Sequence, residues 1–212
     1  MGNNRVPVTD IEKVRKGWVL VRATEGSWLL PERAVDSAGI RPGLPVLPAE
    51  MDGLARREQL PRAGSDAQRY ISAGERTMKQ LRSYLERRGY HSAVVSDISG
   101  WATDTGLVND RRYAEIFVSS HSRRSPMGNF RIRMELLERG VPSNVVEEIL
   151  AGRDEEELHS VLVREIEGKY GNMEHQRAFR RASGYLRRRG FSFDLVRRVL
   201  EEALGSSGGP PD

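Results

Sequence analysis

Cysteine is absent from this chain of 212 residues, so disulfides and cysteine-based zinc sites are excluded. Lysine is nearly absent too, with 4 lysines against 30 arginines. A GC-rich genome, which favours arginine codons, is the bland account of that imbalance. Arginine nevertheless brings a planar fork of donors that grips carboxylates and phosphates bidentately. Long apolar runs are missing: nothing approaches the length of a bilayer span, and Met1-Gly2-Asn3-Asn4-Arg5 leads into no signal-peptide core. The expected compartment is therefore the cytoplasm. A strong charge of one sign is lacking as well. The 34 cationic and 30 acidic side chains leave a net charge of +4, too little for a strong non-specific nucleic-acid binder. A protein partner with acidic patches fits at least as well.

The usual carriers of chemistry are also missing. There is no G-x-G-x-x-G, no Walker A sequence and no G-x-S-x-G elbow. The histidines His91, His121, His159 and His175 show no metal-ligand spacing. Carboxylates stand mostly beside arginines on helix surfaces, as Glu135 does beside Arg131, which suits solvated ion pairing. No catalytic residue, cofactor or metal is expected, and the chain does not read as an enzyme.

What is present is a repeat. Leu85-Glu86-Arg87-Arg88-Gly89-Tyr90, Leu136-Leu137-Glu138-Arg139-Gly140-Val141 and Leu186-Arg187-Arg188-Arg189-Gly190-Phe191 place an arginine-glycine stop three times, 51 and then 50 residues apart. Aligned on the glycine, Leu81, Ile132 and Ala182 stand eight residues before it, and Ile98, Ile149 and Val199 nine after it. Val94-Val95, Val145-Val146 and Leu195-Val196 fill the fifth and sixth places after it. These offsets put one apolar face on each flanking helix. A left-handed terminating residue costs glycine nothing, and the preceding arginines suit the negative end of the helix dipole. Agreement at so many positions argues for a true internal repeat rather than a common connector.

The expected fold is mainly α: tandem three-helix repeats, with a small β-containing appendage in front. Residues 1–65 form that appendage and a linker, 66–108 the first repeat, 109–153 the second, 154–205 the third, and 206–212 a disordered tail. Within the appendage, Trp18 to Val21 and Ser27 to Leu30 flank Thr24-Glu25-Gly26 as a hairpin. A short helix runs from Glu32 to Ala38, and Leu44 to Pro48 supplies a proline-limited edge strand at best. The tryptophans read as its minimal core. Pro61, Gly64 and Ser65 predict a linker or tight loop over 60–66, and Gly100 predicts the end of a helix. Asp154 to Glu157 predict an acidic first turn for the third repeat.

Two basic constellations stand out. From Arg177 to Arg198 there are eight arginines and one acid, Asp194. On a helical wheel Ala178, Ala182, Tyr185 and Leu186 face one way, with Arg177, Arg181 and Arg188 on the other side. The second comprises Arg123, Arg124, Arg131 and Arg133, with Gly128 between the pairs leaving room for the backbone to approach a partner. A solvated charged face and a plain interhelical loop are the simpler readings of the two.

Gly106-Leu107-Val108-Asn109-Asp110-Arg111-Arg112-Tyr113-Ala114, the run from Gly128 to Gly140 and Tyr185-Leu186-Arg187-Arg188-Arg189-Gly190-Phe191-Ser192 together resemble the signatures of the RecX family, regulators of bacterial RecA recombinase. Arg139 stands where lysine is frequent in that family, and Asn109 where aspartate is. The resemblance covers about 66–204. It implies a non-enzymatic, monomeric protein, its repeats set in an elongated curved array, that binds the RecA–DNA filament, restrains its recombinase, ATPase and coprotease activities and so damps the SOS response. Under it, Arg123, Arg124, Arg131, Arg133, Arg177, Arg181 and Arg188 would meet acidic recombinase surface or DNA phosphate. The competing reading is a stand-alone DNA-binding protein of helix-turn-helix type, against which no helix start carries a base-reading cluster.

Overall fold

Each arginine-glycine stop is a complete helix terminator. Gly89, Gly140 and Gly190 take φ of 78°, 86° and 82°, the left-handed conformation that a Cβ disfavours. In the first copy Gly89 N–H donates to the Glu86 carbonyl (2.8 Å) and Tyr90 N–H to that of Leu85 (3.3 Å). The second copy repeats the pattern from Gly140 to Leu137 (2.9 Å) and from Val141 to Leu136 (3.0 Å). The third does so from Gly190 to Arg187 (2.9 Å) and from Phe191 to Leu186 (3.4 Å). The residue after each glycine packs inward like the leucine that accepts its hydrogen bond, and all six are buried. The local sequence thus sets both the stop and the hydrophobic contact that secures it.

The computed structural model describes residues 4–121, 126–154 and 156–205; the tail expected beyond 205 lies outside them. It is mainly α, and the chain divides into two compact units, 1–109 and 110–212. The first unit opens with strands β1 (Val6–Arg15), β2 (Trp18–Ala23) and β3 (Ser27–Pro31), helix α1 (Glu32–Ser37) and strand β4 (Pro45–Val46). The four strands form an antiparallel sheet in the order β3-β2-β1-β4, so the hairpin and the proline-bearing edge strand both stand where expected. Strand β1 is an addition to the expected elements. Its pairing with β2 is interrupted by bulges between Val8 and Asp10 and between Lys13 and Arg15, which blur the alternation a strand should show. Trp28, Val21 and Leu30 lie in the sheet's core, as expected of a tryptophan there, whereas Trp18 is only partly buried beneath the Arg15 guanidinium, 4.9 Å from its ring.

The linker over 60–66 does not exist. Helix α2 (Pro48–Ser72) runs through it unbroken. Met51, Ala55, Gln59, Ala63, Asp66 and Ala67 form one buried stripe along this helix. Its first half packs on the sheet and its second on α3 (Met78–Arg87) and α4 (Ser92–Asp104). Pro61 sits on the exposed side, where the carbonyl it leaves without a donor can turn to water, and burial on the other side holds the helix together. Gly64 lies beside α4 with room to spare: a Cβ there would be in ordinary contact, 3.8 Å from Ile98 Cδ1. Helix α4 likewise passes Gly100, which is exposed, because Ala102 beyond it is buried; Gly106, at φ 66°, follows its end instead.

Polar clamps tie the sheet to the first repeat. Gln59 donates to the Leu29 carbonyl (2.6 Å) and accepts from the His91 backbone N–H (2.7 Å). Asp52 accepts from Trp28 Nε1 (2.6 Å) and lies 3.1 Å from His91 Nε2. Further along α2, fully buried Asp66 accepts from the Tyr90 hydroxyl (2.7 Å) and from Arg88 (3.1 Å). Burial, together with the hydrogen bond to Asp66 and its negative charge, pushes the Tyr90 hydroxyl up to about 12. An unfolded tyrosine ionises near pH 10, so between about pH 10 and 12 the unfolded chain binds fewer protons and stability falls as pH rises. Urea midpoints measured from about pH 9 to 12 should fall more steeply for the wild type than for Tyr90→Phe. Parallel curves would show that Tyr90 contributes nothing to the decline.

The second unit contains two three-helix repeats among its described residues. The first comprises α5 (Asp110–Ser120), α6 (Asn129–Glu138) and α7 (Ser143–Ala151) around Ala114, Ile132, Leu136, Val141 and Val146. The second comprises α8 (His159–Tyr170), α9 (His175–Arg188) and α10 (Phe193–Leu204) around Leu162, Ile166, Leu186, Leu195 and Val199. The acidic run does not open α8. Asp154 accepts from the Glu156 backbone N–H (2.8 Å), Glu156–Leu158 form a short 3-10 turn, and the helix begins at His159.

Candidate interaction surface

Helix α9 starts on an N-cap that its sequence supplies. The Glu174 carboxylate accepts from the backbone N–H groups of Gln176 and Arg177, both at 2.9 Å, and these bonds hold its pKa below the ordinary value. Ala178, Ala182 and Leu186 are buried. By helical geometry Arg180 and Gly184 lie opposite that stripe, with Arg187 to one side and Arg177, Arg181 and Arg188 to the other. The arginine row is therefore a flank of the outward face rather than its centre. Arg177, Arg181, Arg187 and Arg188 are exposed, and among the described residues their side chains meet no carboxylate. Gly184 interrupts a good helix former at a cost of about 1 kcal/mol relative to alanine. Together with Ser183 it leaves a hollow of about 500 Å³ between Arg180 and Arg187.

Other arginines of this run are already engaged. Arg189 lies against Glu165 (3.2 Å), which also accepts from Tyr185 (2.6 Å) and Lys169. Burial raises the Glu165 pKa, but the hydrogen bonds from Lys169 and Tyr185 outweigh it and hold the carboxylate below its usual range. Arg198 pairs with Glu156.

The second constellation is divided. Arg123 and Arg124 lie outside the described residues. Arg133 grips Glu147 bidentately at 2.6 and 2.7 Å, which raises its own pKa and lowers that of Glu147. Arg131 donates to the Arg188 carbonyl (3.2 Å) and lies 3.5 Å from Glu135. Arg131 and Arg188 are thus brought together, through a backbone group.

That contact belongs to a junction in which α9 ends against the start of α6. Gly128 N–H donates to the Arg189 carbonyl (2.8 Å) and Phe130 N–H to that of Gly190 (3.2 Å). The unpaired carbonyls of one helix end satisfy the unpaired donors of another, and their dipoles are complementary. A Cβ on Gly128 would overlap the Gly190 carbonyl, and one on Gly190 would overlap the backbone nitrogen and Cβ of Arg131. Gly128 permits a close backbone approach, but to the chain's own Gly190 rather than to a partner as its sequence suggested.

Sequence reasoning missed the outward face of α6. Phe130, Met134 and Leu137 are 64%, 53% and 37% exposed, opposite buried Ile132 and Leu136. Among the described residues no group of side chains has the makings of a metal site, and no helix is long and apolar enough to cross a membrane.

Residues 109–150 match the family model described as RecX, second three-helix domain. The chain is 31% identical over 141 residues to the regulatory protein RecX of Amycolatopsis mediterranei (strain U-32), an alignment covering 65% of this chain and 81% of that protein. It is 34% identical over 138 residues to the regulatory protein RecX of Halorhodospira halophila (strain DSM 244 / SL1), covering 65% and 85%. A crystal structure of regulatory protein RecX superposes with a TM-score of 0.63 at 20% identity, covering 93% of this chain and 100% of that one. The crystal structure of RecX from Lactobacillus salivarius does so with a TM-score of 0.62 at 23% identity, covering 69% and 97%.

Proposed function

The chain belongs to the RecX family, and on that premise we propose that it is a non-enzymatic regulator that binds the RecA–DNA filament and restrains its recombinase, ATPase and coprotease activities. Recombination and the SOS response would be damped as a result. The observation that carries this reading is the row Arg177, Arg181 and Arg188, exposed on one helix and facing no carboxylate among the described residues. Acidic recombinase surface or DNA phosphate supplies the missing partner. Arg131 and Arg133, each already paired within the chain, contribute less. Tandem modules suit a polymeric target, because each further contact is made at high effective concentration.

The test is to add the protein to preformed RecA filaments on single-stranded DNA and follow ATP hydrolysis. Hydrolysis should fall with increasing protein, and the protein should sediment with the filaments. Undiminished hydrolysis with no co-sedimentation would remove this assignment. Tight, steeply salt-dependent binding to naked DNA without recombinase would instead favour a stand-alone DNA-binding protein.

A further inference from the structure

The second helix of every repeat presents an equivalent outward face, at ten, six and three residues before the stop glycine. In α3 these places hold Lys79, Ser83 and Glu86, in α6 Phe130, Met134 and Leu137, and in α9 Arg180, Gly184 and Arg187. The same position in the fold is thus mixed and polar in the first repeat, apolar in the second and cationic in the third. An apolar outward stripe over two helical turns is not what a solvated repeat needs, and it marks a contact surface. The stripe on α6 begins where α9 ends, since Phe130 N–H is hydrogen-bonded to Gly190.

We propose that the outward face of α6 is the apolar half of a protein-docking surface whose cationic half is α9, and that its occupant is a protein patch of apolar residues bordered by carboxylates. Charge complementarity identifies the border: Arg187 and Arg188, with no carboxylate of their own among the described residues, precede the junction directly. The chemistry of the stripe identifies its centre. A nucleic acid offers bases for aromatic stacking and phosphates for arginine, and Met134 and Leu137 serve neither. Phenylalanine and methionine with flanking arginine are what the cores of protein interfaces favour. The inference rests on the proposed function, under which this patch lies on a recombinase subunit.

The test compares wild-type chain, Phe130→Gln/Met134→Gln and Arg187→Glu in co-sedimentation with preformed RecA filaments on single-stranded DNA. Each is also titrated with a bare single-stranded oligonucleotide and run on a sizing column. The double variant should bind filaments at least tenfold more weakly at both low and high salt, with unchanged oligonucleotide binding and elution volume. The deficit of Arg187→Glu should instead shrink as salt rises. If the double variant loses its circular dichroism signal, Met134→Lys alone places a charge in the same contact and must show the same deficit. Wild-type binding by a folded variant would overturn the inference while leaving the proposed function standing. Parallel loss of oligonucleotide binding would assign the face to nucleic acid, and a wild-type dimer dispersed by the substitution would assign it to a second copy; either overturns the proposal. A wild-type chain that leaves the filaments bare refutes the proposed function itself and the partner with it.

Discussion

Gly190→Ala is expected to destabilise the second unit by about 3 kcal/mol or more, well beyond the cost of the same change at Gly89. Both glycines are left-handed, at φ 82° and 78°, so both substitutions incur a conformational penalty of about 1–2 kcal/mol. At Gly89 little is added: the nearest atom to the new Cβ is Leu29 Cδ2, at 3.4 Å. At Gly190 the methyl overlaps Arg131, and relief requires α6 to move off the end of α9. That movement gives up the hydrogen bonds from Gly128, Phe130 and Arg131. Gly128→Ala isolates the overlap, because Gly128 has an ordinary φ of −72° and should lose only the ~1–3 kcal/mol of overpacking. Urea denaturation followed by circular dichroism measures all three. Equal losses at Gly89 and Gly190 would mean that the junction adds nothing.

Reversing Arg177, Arg181 and Arg188 to glutamate together should weaken filament binding by tenfold or more while leaving the fold intact. The three side chains are exposed and meet no carboxylate among the described residues, so the folded chain loses no ion pair there. The change converts attraction for a carboxylate or phosphate surface into repulsion, and tenfold corresponds to only about 1.4 kcal/mol. Co-sedimentation across a salt series reads the effect: the wild type should weaken as salt rises, and the variant should be weak throughout. Arg133→Gln is the contrast. It breaks a half-exposed pair with Glu147, so it should cost stability by less than about 1 kcal/mol and filament affinity hardly at all. A triple variant that sediments with filaments as the wild type does would remove these arginines from the contact.

The interaction surface was only partly readable in advance. Eight arginines in one stretch are visible in any sequence, but which of them are free is not. Arg189 and Arg198 are consumed by Glu165 and Glu156, carboxylates 24 and 42 residues away. Among the described residues Arg177, Arg181 and Arg188 have no such neighbour. The apolar face of α6 did leave a signal, at the places ten, six and three residues before each glycine. It is lost when attention goes to the buried positions of the repeat, because what distinguishes those places is that they change from copy to copy.

The sequence by itself determined the three-helix repeats and their glycine stops. A helix terminator is local chemistry: a left-handed glycine, a leucine four residues earlier and an apolar residue just after lie within six positions of one another. The hairpin, α1 and the edge strand were settled by similarly short-range turn and proline rules. Tertiary structure decided the rest. Helix α2 continues past Pro61 because remote residues of the sheet and of α4 bury its opposite side, and no local rule contains that energy. The meeting of Gly128 with Gly190 is of the same kind. Glycine at both positions is legible, but that two backbones 62 residues apart need the same space is fixed only when the repeats pack.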